Sequence, residues 1–374
     1  MEIKPKLETF AKIKVIGVGG GGSSAVDRMY NSDVRGVEFF VVNTDAQALH
    51  TAKVKNKIHI GKSLTKGLGG GMNPDLGRQA AEEDQEEIKG VVKGADMVFI
   101  TCGLGGATGS GASPIIAKMA KEEGALTVGV VTKPFSFEGY QRKEIAEKAH
   151  DELRGKVDAL ITIPNDKLLQ IIDKKTSLLD AFSIVDDILK QGVLGIADLI
   201  VTPGIVNVDF ADVRAVMADA GSALMGIGQA SGENRAAEAA KKAIESPLLE
   251  LSIDGATGVL FNVYGGEDLS MMEIDEAAKV ITQSIDPQAK VIFGAVRDKN
   301  LNNELKVTVV ATGFSGVAKE TKKEEKPKKT TLFSQNFSYQ TYVPASQKQA
   351  IKQKSETEEE LDIPAFIRKK LGKK

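Results

Sequence analysis

The stretch GLGGATGSGASP, Gly103 to Pro114, follows directly on the apolar run Met97–Ile100. A glycine-rich turn between a strand and a helix lets successive backbone N–H groups converge on an anion, because glycine adopts positive φ and admits close approach. The helix behind it adds partial positive charge. The same arrangement occurs earlier, where GVGGGGSSA, Gly17 to Ala25, closes the β-branched run Ile13–Val18. Between them lies a third glycine loop, GLGGGMNPDLG, Gly67 to Gly77. In a doubly wound sheet, two neighbouring strands that end in such loops flank one crevice at the switch point. Three loops surround more phosphate than a single pyrophosphate needs, which points to a nucleoside triphosphate.

Outward from these loops, further short apolar runs at Val37–Val42, Leu126–Val131 and Leu160–Ile163 alternate with charged helical stretches. This predicts an α/β domain with a mostly parallel, doubly wound sheet over residues 12–176, after a flexible N-terminus at 1–11. Residues 177–202 change rhythm. Leu178, Phe182, Val185, Leu189, Val193, Ile196 and Ile200 recur at helical spacing. They predict a central helix about 36 Å long that joins two domains. Residues 203–316 restart as a smaller α+β domain: a helix from about Asp212, a strand near Ala223, a helix over Asn234–Glu245, and strands at Val259–Val263, Val291–Val296 and Leu305–Val310. The last two suggest a hairpin across Arg297–Asn303. Residues 317–360 are rich in charge, Ser and Gln and read as a disordered linker. Residues 361–374, LDIPAFIRKKLGKK, regain apolar character and end basic, the pattern of a short docking peptide.

The totals exclude several classes. The chain has 374 residues with Lys+Arg 49 against Asp+Glu 51, so it lacks the basic excess of a nucleic-acid binder. The single Cys102 allows no internal disulfide and fits a cytoplasmic protein. The N-terminal MEIKPKLETFAKIKV shows no signal-peptide pattern, and no stretch approaches the length of a membrane helix, so no direct membrane insertion is expected. His50, His59 and His150 are scattered without metal-ligand spacing and read as surface or edge residues.

Alone, the first loop is ambiguous. Gly17, Gly19 and Gly22 fit G-x-G-x-x-G after a strand, and Asp45 stands about where a ribose-binding acid would, so an NAD-dependent Rossmann oxidoreductase is an alternative. It leaves two glycine loops unexplained and lacks an evident catalytic His or Tyr–Lys arrangement. Gly61-Lys62-Ser63 supplies the end of a P-loop, but the first glycine that motif requires is Asn56, so the match fails.

Taken in order, GGGGSSAVDRM, NTDAQAL, LGGGMNPDLGRQAAEED, GLGGATGSGASP, KPFSFEG, IPNDKLL and NVDFADV resemble the tubulin/FtsZ family of division GTPases. The resemblance runs from about residue 11 to 314 and resumes at DIPAFIRKK. Two positions depart from the family pattern: Ala107 replaces the third glycine of the signature loop, and Gly70 stands where alanine is frequent. The resemblance implies GTP and GDP as ligands, with Mg2+. It implies that Gly19, Gly20 and Gly21 surround the α- and β-phosphates, and that Gly70, Gly71, Met72 and Asn73 sense the γ-phosphate. Gly105, Gly106, Ala107, Thr108, Gly109 and Ser110 form the signature loop. By the same resemblance Asn43 would be a base or ribose contact. Glu138 and Arg142, which share a helical spacing that also suits a plain ion pair, resemble the family's ribose and phosphate contacts. Asn165 and Asp186 would meet guanine, and Phe182 would stack on it.

Hydrolysis needs a water held in line with the γ-phosphate, and no glutamine or arginine finger is evident near the loops. Asn207, Asp209 and Asp212 in NVDFADV resemble the family's synergy loop, which reaches the nucleotide of the next subunit in a head-to-tail filament. Asp209 and Asp212 equally suit an N-cap and first helical turn. Asp362, Ile363, Pro364, Phe366 and Ile367 resemble the family's docking peptide for membrane-anchor division proteins, with location at the midcell ring implied. A further alternative is a non-hydrolysing tubulin-like adaptor, whose only support is Ala107.

Overall fold

The computed structural model describes residues 11–31, 36–170, 172, 175–201, 208–249, 252–298, 301 and 303–314. The linker, the docking peptide and Asn207 lie outside the described residues.

The chain begins with β1 (Ile13–Val18), α1 (Gly19–Tyr30), β2 (Val37–Asn43), α2 (Ala46–Thr51), β3 (Asn56–His59), α3 (Lys62–Thr65), α4 (Pro74–Glu83) and α5 (Gln85–Val92). It continues with β4 (Met97–Gly103), α6 (Ala107–Glu122), β5 (Leu126–Lys133), α7 (Tyr140–Arg154), β6 (Ala159–Pro164), α8 (Asn165–Leu168) and the central helix α9 (Leu178–Val201). The second half comprises α10 (Phe210–Met217), β7 (Gly221–Ser231), α11 (Arg235–Ile244), β8 (Gly258–Gly265), α12 (Met271–Thr282), β9 (Lys290–Arg297) and β10 (Glu304–Thr312).

The strands form one 10-stranded sheet in the order β3-β2-β1-β4-β5-β6-β7-β10-β8-β9. From β3 to β6 all pairing is parallel. The switch point falls between β1 and β4, whose register pairs Val18 with Cys102. Both glycine-rich strand ends thus lie side by side, as the sequence predicts.

The central strands β1, β4, β5 and β6 are mostly apolar and buried because both faces are covered. On one face Val15, Phe99, Val128 and Ile161 pack against Val26 and Met29 of α1 and against Val185, Leu189, Val193 and Ile196 of α9. On the other, Ile16, Ile100 and Val131 pack against Ile88, Ala112, Ile116 and Leu153. A third core lies between β7–β10 and the helices α11 and α12. α9 presses closely on the second half: a Cβ at Gly294 of β9 would collide with Leu199 of the helix.

The halves share the sheet through β6 and β7, which pair in parallel over Gly221–Ala223. The hairpin expected between the last two strands does not form. β8 pairs in parallel with β9, and β10 returns antiparallel between β7 and β8. Alternation of side chains fixes which face of a strand is buried and leaves its neighbour undetermined. Here α12 provides the crossover that a parallel β8–β9 pair requires.

Candidate functional site

At the carboxyl edge of the sheet the loops enclose a cavity of about 480 Å3, within the range of small-ligand sites. α1 starts at Gly19 with no side-chain cap, and α6 starts at Ala107 behind Gly106, again with none. Both helices therefore leave their first N–H groups without side-chain acceptors, at one rim. The loops touch through backbone. Gly19 has φ +71°, and a Cβ there would lie 2.9 Å from the Gly109 nitrogen. Gly20 faces open space.

The third loop closes on the signature loop. A Cβ at Gly70 would lie 2.5 Å from the Cβ of Ala107. The two departures from the family pattern therefore face each other across one contact, and the methyl group carried at one position is missing from the other. Ala107 is buried and does not have positive φ, so its methyl strains no backbone angle.

Gly19, Gly20, Gly21, Asn43, Gly70, Gly71, Met72, Gly106, Ala107, Thr108, Gly109, Glu138, Arg142, Asn165, Phe182 and Asp186 all line this cavity. Asn73, Gly105 and Ser110 do not. The Asn73 side chain caps α4 by accepting from the Asp75 N–H at 3.0 Å. Ser110 Oγ accepts the Gly105 N–H at 2.9 Å, which ties the signature loop to its own helix.

Several lining side chains are engaged locally. Asn43 Oδ1 accepts the N–H groups of Thr44 and Asp45. Asp45 caps α2 through the N–H groups of Gln47 and Ala48, at 2.8 and 3.0 Å. Glu138 ends a single 3-10 turn, Ser136–Glu138, and Arg142 opens α7. They are not on one helix, because Gly139 at φ +100° separates the two elements. The Glu138 carboxylate still accepts from Arg142 at 2.7 Å and from the Phe135 N–H at 2.9 Å.

Asn165 Oδ1 is buried and has no hydrogen-bond partner among the described residues. It is a polar atom in the wall of the cavity that a ligand donor would satisfy. Phe182 packs edge-on against Phe135, which stacks on Phe137. Asp186 accepts from Arg28 Nε at 2.9 Å. Burial pushes the Asp186 carboxyl above the usual carboxylate range, and Arg28 draws it back.

Sequence reasoning did not single out Thr44 and Thr132 at the strand ends, nor Arg28. Thr44 is fully buried, and its hydroxyl shares a 2.7 Å hydrogen bond with Thr108. Its place inside the NTDAQAL motif was the available signal. Asp209 caps α10, accepting from the Ala211 N–H at 3.2 Å. Asp212 is exposed one turn on, and neither residue lines the cavity. His59 lies on the edge strand, His50 is exposed, and His150 bonds Thr162. Among the described residues no cluster of His, Cys, Asp and Glu has metal-binding geometry, and no helix is long and apolar enough to cross a membrane. A larger cavity, about 670 Å3, lies among Arg154, Val216, Gly221, Thr257, Lys290 and Phe314. It contains none of the glycine loops, so its size does not make it the nucleotide site.

Residues 12–173 match the model of the tubulin/FtsZ family GTPase domain, and residues 221–315 match that of the FtsZ family C-terminal domain. Among solved structures, an FtsZ dimer from M. jannaschii is 46% identical, with 82% of this chain and 89% of that one covered and a TM-score of 0.79. A point mutant of M. jannaschii FtsZ gives the same identity and TM-score, with 82% of this chain and 92% of that one covered. GDP-bound CetZ1 from Haloferax volcanii, 24% identical, shares the fold: its TM-score is 0.71, with 82% of this chain and 96% of that one covered. With two family models in sequence order and the glycine loops gathered around one cavity, the chain belongs to the FtsZ family of tubulin-like, GTP-dependent polymerising cell-division proteins.

Proposed function

We propose that this GTPase turns over only where two copies meet head to tail, the nucleotide cavity of one being completed by Asp209 and Asp212 of the next. One observation carries the proposal: no carboxylate lining the cavity is left over to orient a water, since each already holds a partner within the chain and Asp186 is needed by the base. Asp45 caps a helix, Glu138 holds Arg142 and a backbone N–H, and Asp186 holds Arg28. A water in line with the γ-phosphate needs an orienting acceptor. Asp209 and Asp212 lie outside the cavity at the start of α10, where a neighbouring copy has access to them.

Exposed apolar side chains in both halves of the molecule support a heterologous contact. Leu68, Phe137, Leu169 and Leu179 flank cavity-lining residues in the chain, with Leu68 85% and Phe137 63% exposed. Met271, 72% exposed, and Met272 open α12 on the other half of the molecule. Unlike exposed apolar residues in the two halves of one subunit suit an open filament. The related M. jannaschii protein was solved as a dimer.

Within the cavity, the N–H groups of Gly19–Gly21 and of residues 106–109 would hold phosphate. Phe182 would stack on guanine, and Asp186 would accept its N1–H and N2 amine. Asn165 would make a polar contact to the base through its unpartnered oxygen. Magnesium fits a site of this kind through phosphate oxygens and water, its usual ligands, since the protein offers hydroxyls and, among the described residues, no carboxylate cage. Bound there, it would neutralise phosphate charge.

The last residues, around Asp362, Ile363, Pro364, Phe366 and Ile367, would dock membrane-anchor division proteins and place the filament at the midcell ring on the cytoplasmic side. Deleting residues 361–374 should then leave assembly in solution intact and abolish recruitment to the division site.

The decisive experiment measures phosphate release per subunit from GTP and magnesium over a series of protein concentrations, with light scattering in parallel. A threshold below which turnover is negligible, shared by both signals, is the expected result. Turnover per subunit that is independent of concentration would place the whole site in one chain and remove Asp209 and Asp212 from it.

A further inference from the structure

We infer that Arg28 is a positioning residue for guanine recognition: from α1 it fixes the carboxylate of Asp186 on α9 in the orientation from which the base is selected. The inference rests on the guanine contact proposed for Asp186. It goes further by naming the group that holds that contact and the purine feature it discriminates.

Arg28 Nε donates to Asp186 Oδ2 at 2.9 Å, and Nη2 of the same guanidinium donates to Ser183 Oγ at 2.8 Å. Ser183 and Asp186 lie three apart and share a helix face, so the planar fork bridges one turn of α9. α1 also carries Gly19–Gly21 at its N-terminus. The helix that presents the phosphate loop therefore also grips the group proposed to contact the base. The Asp186 carboxyl is 14% exposed in the cavity wall, while the Arg28 side chain, which does not line the cavity, is 42% exposed behind it.

Guanine offers two adjacent donors, N1–H and the N2 amine. A carboxylate accepts both when its two oxygens face them in one plane. Hypoxanthine keeps N1–H and lacks the amine, so a fixed carboxylate distinguishes the two bases and a freely rotating one does so less. Charge matters as well, because a protonated carboxyl would set a donor against a donor. Burial and the neighbouring Asp187 on α9 both favour protonation of Asp186, and Arg28 on α1 opposes it. The other ionisable groups lining the cavity are Asp45, Glu138 and Arg142.

The test titrates the full chain with GDP and inosine diphosphate from about pH 5 to 8, a range that begins just above the ordinary carboxylate values. Wild type, Arg28→Met, Arg28→Lys, Ser183→Ala and Asp186→Asn are compared, and thermal melting checks that each is folded. Wild type should prefer GDP by about ten- to a hundredfold, the value of one hydrogen bond to a charged group. Arg28→Met should reduce that preference to about threefold or less. Its GDP affinity should also begin to fall at a higher pH than in wild type as the solution is acidified. Arg28→Lys should restore the pH profile and only part of the preference, since a point charge does not bridge both acceptors. Ser183→Ala should move the preference in the same direction by a smaller factor, which keeps the idea testable if Arg28→Met fails to fold. Unchanged preference and pH profile in Arg28→Met and Ser183→Ala, with preference lost in Asp186→Asn, would refute the positioning role and leave the guanine contact standing. Preference retained in Asp186→Asn would overturn the guanine contact as well. Tighter GDP binding by Arg28→Met would overturn the inference by making Arg28 a competitor of the base.

Discussion

Replacing Gly70 with alanine restores the residue frequent in the family and should nevertheless damage this protein. The new Cβ would lie 2.5 Å from the Cβ of Ala107. Carbon atoms are attractive at about 3.5 to 4.0 Å, so the two must separate by about 1 Å or more. Ala107 cannot easily give way. It opens α6, and a Cβ on Gly77 of α4 would collide with its carbonyl oxygen, so backbone already meets backbone on its far side. The displacement must come from the loop carrying Gly70, Gly71 and Met72. Overpacking of this size costs about 1–3 kcal/mol. Concentrated in a ligand loop, it corresponds to roughly a tenfold loss of affinity. Gly70 has no positive φ, so backbone strain does not contribute. Equilibrium titration with fluorescent GTP and GDP analogues should show the loss in Gly70→Ala, larger for GTP than for GDP. Affinity should return to within about threefold of wild type in Gly70→Ala/Ala107→Gly, because the pair are in direct contact and couple non-additively. Gly70→Ala binding GTP within about twofold of wild type would refute the reasoning, and so would a double variant no better than the single.

Other outcomes follow from named contacts. Asp212→Ala should retain GTP binding and lose turnover by about a hundredfold or more, measured as phosphate release well above the assembly threshold. Asp45→Ala removes the cap of α2 and should lower stability by about 1 kcal/mol in denaturant titrations. The same variant should leave nucleotide affinity almost unchanged, which separates its capping role from ribose binding. The Glu273 carboxyl is held below its usual range, first by Arg235, which bonds it at 2.6 Å. A depressed carboxylate contributes stability above its unfolded-state value, about 4.3, and loses it as pH falls toward the folded value. Arg235→Met should therefore lower the melting temperature at neutral pH and flatten its decline on acidification, as calorimetry over a pH series would record.

Much of this site was legible in the sequence because it is made of backbone. Glycine runs that end apolar strands announce where N–H groups converge, and the strand–helix alternation sets the parallel order that brings Gly19 beside Gly109. What stayed hidden depended on side-chain partners distant in sequence. Arg28 and Asp186 are 158 residues apart, and nothing in either local motif announces their contact. β3 is only four residues of mixed polarity, Asn56–His59, too short for a periodic signal. The misplaced hairpin has the same origin, since β9 and β10 adjoin in the chain while β8 lies between them in the sheet. Asn43 and Asp45 show another side of this. Their types suit ligand contacts, and type alone does not announce that their side-chain oxygens also build a turn and a cap.

The Gly70–Ala107 contact would also bear on how nucleotide state is transmitted if this loop senses the γ-phosphate. Residues 67–73 belong to no regular element, yet both ends are fastened: the Gly67 carbonyl accepts the Ala46 N–H, and Asn73 caps α4. Between these anchors the loop carries Gly70 against the signature helix and Leu68, the most exposed large apolar side chain described, toward solvent. Gly69 and Gly71 have φ of +79° and +55°, and Met72 has +64°, so its conformation depends on residues with few alternatives. A shift at Gly70 would have to be taken up between these anchors, two residues from Leu68 on the surface proposed to meet the next subunit. Placing a methyl on Ala107 and a bare glycine opposite keeps that linkage at van der Waals distance, whereas two methyls would force the loop outward and two glycines would leave a gap.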